Sequence, residues 1–176
     1  MTDRSIEQRL SSLTEDDIVE ELQQHHRDAL LDLVLVWGGL DGALGILLAD
    51  VVGLPLATAA EMIGTMPSWK KFNELIKLIG TYPNSEAAVQ KLKKLKKNYE
   101  KYSVIRNQIA HSKCLGYYKH DPQYVLFAKF EKTANDQLAL DCVPLQEFAT
   151  ATRWGQKMHD FTMEISSLLN ENNSNK

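Results

Sequence analysis

A chain of 176 residues, 44% apolar and 24% charged, is long enough to bury a core and too ordinary in composition for wholesale disorder. Its net charge of -3 excludes a uniformly basic nucleic-acid binder and leaves room only for a local basic patch. Two cysteines, Cys114 and Cys142, exclude a disulfide framework and point to a reduced, cytoplasmic setting.

The opening MTDRSIEQRL has no apolar stretch of the kind a secretory signal needs. Residues 1–13 read as a loosely held end. "TEDD" from Thr14 carries a capping residue and first-turn acids, so a long helix is expected from there to about Val52. Leu30, Leu33, Val34, Trp37, Leu40, Asp41, Leu44, Leu47 and Leu48 keep the spacing of one helical face. Asp32, Asp41 and Asp50 interrupt the apolar run from Ala29 to Ala60, which favours a buried helix over a membrane span. Gly38-Gly39 costs about 1 kcal/mol per glycine against alanine, and close approach of another helix is the expected compensation.

"GLP" at 53–55 ends that helix. "TAAE" at 58–61 reads as a capping box for a short helix, and Ser68 as the cap of the next, with Trp69, Phe72, Leu75, Ile76 and Ile79 on one side. After the turn "GTYPN", Ser85 caps a long helix to about Ser112. The period then changes. "QYVLFAKFE" and "DQLALDCVPL", separated by "KTAND", read as a β-hairpin. A last helix is expected from about Leu145 to Leu169, with Phe148, Trp154, Met158, Phe161, Ile165 and Leu168 inward, followed by a solvated tail at 170–176. The expected fold is mainly α: one domain over 1–176, a four- to five-helix bundle with a short hairpin inserted before the last helix.

The chemistry concentrates in "YSVIRNQIAHSK", residues 102–113. Ala88, Leu92, Leu95, Tyr99 and Tyr102 mark an apolar stripe whose next step lands on Arg106. Asn107 and His111 are four apart and share a face at the helix end, within swing of the long Arg106 side chain. Spacing alone leaves two readings open. On one, Arg106 and His111 are cations favoured by the helix dipole; on the other, they are working parts of a site.

The wording "IRNQIAHS" resembles the signature of the HEPN superfamily: an arginine, a polar residue after it, and a histidine a few places on, late in a helical bundle. Here these are Arg106, Asn107 and His111. The resemblance is sharp over residues 99–113 and architectural elsewhere. It implies a metal-independent endoribonuclease without cofactor, of the toxin or antiviral-defence kind. It also implies a homodimer with a composite site, and a possible antitoxin or nucleotidyltransferase partner. His111 then moves the proton of a ribose 2'-OH, Arg106 meets the charge of the transition state, and Asn107 orients one of them. Cleavage through the 2'-OH makes RNA, not DNA, the substrate.

"KLKKLKKNYEK" at 91–101 holds six lysines. Lys94, Lys97 and Lys101, with Lys113, are candidates to hold RNA phosphates, although a solvated helix face explains them equally. Tyr102 is a candidate to stack a base, against a place in the core. Asp41 is a candidate partner of Arg106 or of His111. No His, Cys, Asp or Glu cluster has metal-ligand spacing, and no phosphate loop, dinucleotide fingerprint or hydrolase elbow is present.

Overall fold

A computed structural model describes residues 13–132 and 138–174. The described residues are mainly helical, with five α-helices and a four-stranded antiparallel sheet among them. The helices are α1 (Gln24–Val52), α2 (Leu56–Ile63), α3 (Ser68–Ile79), α4 (Glu86–His111) and α5 (Leu145–Ser174). The strands are β1 (Ile18–Val19), β2 (Ser112–Tyr118), β3 (Tyr124–Lys132) and β4 (Leu138–Pro144), side by side in that order. The expected hairpin is thus the β3–β4 half of a larger sheet. Residues 1–12, most of the "KTAND" turn and residues 175–176 lie outside the described residues. The tail expected from 170 instead continues α5 to Ser174.

Contacts divide the chain into two compact units, each discontinuous in sequence. One comprises Met1–Leu33 with Val104–Ala151, the other Val34–Ser103 with Thr152–Lys176.

The first unit holds the sheet. Thr14 does cap, but only a 3-10 turn at Glu15–Asp17, where the Asp17 carboxylate accepts the Thr14 N–H at 2.9 Å and its hydroxyl at 2.8 Å. Those bonds hold Asp17 below the usual carboxylate range, the Thr14 amide contributing most. The chain then enters β1, so α1 starts ten residues later than the sequence suggests. Its start is set by His26, three residues after Gln23. The Gln23 N–H donates to His26 Nδ1 at 3.2 Å, and His26 Nε2–H donates to the Pro122 carbonyl at 2.7 Å. With one ring nitrogen accepting and the other donating, the neutral Nε2–H tautomer is specified. The ring is fully buried and stacks on Tyr117 at 4.7 Å.

β2 has a register shift between Cys114 and Gly116. Gly116 sits at φ +127°, and a Cβ there would meet the Val19 carbonyl oxygen at 2.1 Å. Only glycine lets β1 lie so close, with Ile18 opposite Tyr118 and Val19 opposite Tyr117. Val125, Leu126, Phe127, Val143 and Phe148 form this unit's core.

The second unit is helical. Leu40, Leu44, Leu47, Leu48, Phe72, Leu75, Leu92 and Met158 are buried. Trp37 lies 5.2 Å from Tyr99 and 5.6 Å from Trp154, and Tyr99 lies 5.3 Å from Phe72. α1 closes at Gly53, whose φ of +68° lets the Leu54 N–H return to the Ala49 carbonyl at 2.9 Å.

Several expectations are corrected here. α2 begins at Leu56 after Pro55, ahead of the "TAAE" box, because a proline with fixed φ precedes the first turn. Pro67, not Ser68, caps α3, since the Ser68 hydroxyl is spent on Asp41. Trp69 is 52% exposed and lies off the buried side of its helix. Gly38 meets no neighbour within 4 Å of an added Cβ; the close approach is at Gly155, where a Cβ would lie 2.9 Å from Val36. On α5 Leu168 is exposed, and the buried line runs Gly155, Met158, Thr162, Ser166. Thr162 bonds back to the Met158 carbonyl at 2.7 Å and the Ser166 hydroxyl to Asp50, so both bury at little cost.

α1 is long and apolar enough to cross a membrane by length and composition, a test that a core helix passes equally.

Candidate functional site

α4 ends at His111 and β2 begins at Ser112, so helix passes into strand without a loop. Arg106, Asn107 and His111 occupy the last two turns of that helix, all within the first unit. All three are exposed. Arg106 therefore does not continue the apolar stripe: the buried residue in these turns is Gln108. The stripe predicted through Ala88 also begins later, at Leu92, since Ala88 is exposed.

The structure joins two of the three. Arg106 Nη1 donates to Asn107 Oδ1 at 3.3 Å, a long hydrogen bond that crosses the offset between neighbouring helix positions. It leaves most guanidinium donors and the Asn107 amide N–H groups facing solvent. His111 lies one turn beyond Asn107 and makes no hydrogen bond or ion pair among the described residues. An exposed guanidinium, amide and imidazole side by side present cationic and hydrogen-bonding groups suited to a phosphodiester.

What fixes this helix end is a residue the sequence reading passed over. Gln108 is only 5% exposed, and its Nε2 donates to Asp141 Oδ2 on β4 at 2.6 Å. Asp141 also pairs with Lys129 on β3. A glutamine at a buried helical position is a signal of a required partner, but the partner lies 33 residues away and no local pattern names it. On the strand side, Ser112 pairs with Lys129 and Lys113 with Ala128. The Ser112 hydroxyl is buried without a partner among the described residues.

The other candidates fall differently. Lys94, Lys97 and Lys101 are exposed on α4, within the second unit, and Lys113 is exposed on β2, within the first. Lys94 and Lys97 have no partner among the described residues, whereas the Lys101 ammonium lies 5.3 Å from the Tyr102 ring centroid. Of the neighbouring lysines, Lys96 pairs with Glu100 at 3.3 Å and Lys91 lies over the Phe161 ring at 4.5 Å. Tyr102 is half-buried with its ring 5.3 Å from Trp154, a packing role. Asp41 is already engaged: its carboxylate accepts the Ser68 hydroxyl and the Lys71 ammonium, the latter at 2.8 Å. A carboxylate with both oxygens so occupied has its own partner.

Cys114 and Cys142 are free thiols, and burial pushes both up, Cys142 to about 11 with a further contribution from the Asp121 carboxylate. Neither is poised as a nucleophile. Among the described residues no group of three His, Cys, Asp or Glu side chains is gathered to hold a metal.

Compared with known protein families, curated proteins and solved structures, the chain finds no match.

Proposed function

We propose that the chain is a metal-independent endoribonuclease of HEPN type. The observation that supports this reading is the exposed row Arg106–Asn107–His111 at the end of α4, with Arg106 and Asn107 hydrogen-bonded. The His111 imidazole takes the proton of a ribose 2'-OH and returns one to the leaving 5'-oxygen, a task suited to a ring whose nitrogens can accept and donate. As the 2'-oxygen attacks phosphorus, charge builds on the non-bridging oxygens. Arg106 offers its unused donors to them. Asn107, by accepting from Arg106, sets the guanidinium plane and keeps its own N–H groups for phosphate. Lys94, Lys97, Lys101 and Lys113 supply diffuse attraction to the RNA backbone.

At this helix end one chain presents a single imidazole, with no hydrogen-bond partner to orient it among the described residues. The reading therefore includes a homodimer in which the second copy completes the site. It also includes a cytoplasmic role as a toxin or antiviral defence protein, held by an antitoxin or a nucleotidyltransferase.

The test is incubation of purified protein with RNA in the presence of EDTA. Cleavage lost in His111→Ala and in Arg106→Ala, with DNA untouched, supports the reading. Cleavage that survives His111→Ala overturns it. A growth assay on expression accompanies the test, so that a partner-silenced preparation is recognised. His111, without a partner among the described residues, also favours a second reading, a non-catalytic module of the same type that binds RNA, a nucleotide or a protein. It is distinguished by saturable RNA binding without turnover in the dimer.

A further inference from the structure

The helical unit contains a pocket of about 180 Å³, lined by Asp41 and Lys71 but by none of Arg106, Asn107 and His111. Ile46 and Ala49 of α1, with Leu56, Ala59, Ala60 and Ile63 of α2, form apolar walls. Much of the room comes from small residues. Gly45 also lines it, and a Cβ there would stand 3.7 Å from Lys71 Nζ and 4.0 Å from Ile63. Alanine at 49, 59 and 60 keeps the rest open.

One end of the pocket is charged. Lys71 is 2% exposed, and its ammonium donates to the Asp41 carbonyl at 2.9 Å and to Asp41 Oδ2 at 2.8 Å. An ammonium has three hydrogens. The third has no acceptor among the described residues, although Lys71 lines the pocket. A buried donor beside apolar walls, with a hydrogen to spare, is unfinished hydrogen bonding.

We propose that this pocket binds a small neutral molecule with an apolar body and one hydrogen-bond acceptor, such as a cyclic ketone or a short ester. The size follows from the volume, since a dry cavity of about 150 Å³ accepts benzene, so the ligand has about six to eight carbons. Neutrality follows from the charge balance. Lys71 and Asp41 already compensate one another, so a carboxylate ligand brings a second anion beside Asp41 and an amine a second cation beside Lys71. The acceptor follows from the free ammonium hydrogen. The exposed lining residues, Gly42, Leu56, Ala60 and Gly64, mark the pocket's open side.

The experiment titrates full-length protein with cyclohexanone, cyclohexanecarboxylate and cyclohexylamine, read by amide chemical shifts, to low millimolar ligand. Cyclohexanone shifts resonances of the lining residues saturably, and the two charged analogues bind at least about tenfold more weakly, because each adds an uncompensated charge beside the Lys71–Asp41 pair. Ala60→Phe, a change at an exposed position, closes the entrance and removes the saturable shift. Lys71→Met weakens cyclohexanone about tenfold while leaving methylcyclohexane, which has no acceptor, unchanged. No saturable shift with cyclohexanone, equal affinity for the carboxylate, or unchanged affinity in Lys71→Met overturns the proposal.

Discussion

The Lys71–Asp41 pair predicts unequal costs for removing its two halves. The Lys71 side chain is 2% exposed and the Asp41 side chain 41% exposed. Asp41→Ala strands a buried ammonium with one carbonyl acceptor and leaves the Ser68 hydroxyl without its partner. Stranding a buried charge costs about 3–5 kcal/mol. Lys71→Met keeps the apolar stem and leaves behind a carboxylate that water reaches and Ser68 still serves. That loss is of the order of an exposed pair, about 1 kcal/mol or less. For a chain of this length each kcal/mol moves the melting midpoint by about 2–4 °C. Asp41→Ala therefore lowers Tm by at least about 6 °C, and Lys71→Met by no more than about 4 °C. The double variant recovers stability over Asp41→Ala alone, because the stranded charge is gone. Melts followed by circular dichroism in one buffer decide the matter. Equal losses for the two single variants, or a double variant no better than Asp41→Ala, refute the assignment of the buried charge to Lys71.

Other outcomes follow from the same coordinates. Gly38→Ala raises stability by about 1 kcal/mol, since an added methyl meets nothing and alanine favours helix. Gly155→Ala lowers it by about 1–3 kcal/mol despite the same propensity gain, because the methyl runs into Val36 and Trp37; urea titration compares the two. Cys142, pushed up to about 11, carries roughly a hundredfold less thiolate near pH 8 than an ordinary thiol, so iodoacetamide labels it slowly until the fold is opened with urea. Its folded value is raised, so its contribution to stability is present at neutral pH and lost as pH rises toward about 11. Gln108→Leu costs about 1–2 kcal/mol, the worth of a hydrogen bond to a carboxylate that Lys129 still holds. His111→Ala, at an exposed position without a partner among the described residues, stays within about 0.5 kcal/mol of the parent, and under the nuclease reading it abolishes RNA cleavage.

The parts of the fold legible in the sequence are those whose signal repeats within the element. The Leu33–Leu48 face of α1 declares itself because burial on one side forces a period, and β3 because its continuous apolar run Val125–Ala128 is buried on both faces. β2 does not. "SKCLGYY" follows a helix with no turn residue between, and its strand character comes from pairing with β3. β1 is two residues long and depends on a glycine 97 positions away that leaves room for it. The true inner line of α5 escapes for a related reason. Thr162 and Ser166 are polar by type and buried by circumstance, and the Asp50 that receives Ser166 lies 116 residues away. At the site, apolar spacing projected past Tyr102 places Arg106 on the buried stripe, yet Arg106 is exposed. Gln108, one place from Asn107, takes the buried position instead.

The exposure of Arg106 beside a buried Gln108 bears on function. A leucine-like position for Arg106 would have made burial the first question, and the arginine would have needed an acid. With Gln108 inside and Arg106 outside, anchoring and chemistry are divided between adjacent residues of one helix turn. Gln108 ties the turn to β4 through Asp141, and the β2–β3 ladder holds the backbone immediately after His111. The backbone beneath His111 is thus held from both sides while its ring remains unbonded. A rigid support under free polar groups is what a preorganised site requires. A helix end decorated only to suit its dipole needs the cations but has no use for the anchor beneath them. The decisive comparison is therefore Gln108→Leu against His111→Ala: under the nuclease reading the first impairs cleavage through position and costs stability, while the second removes cleavage and costs none.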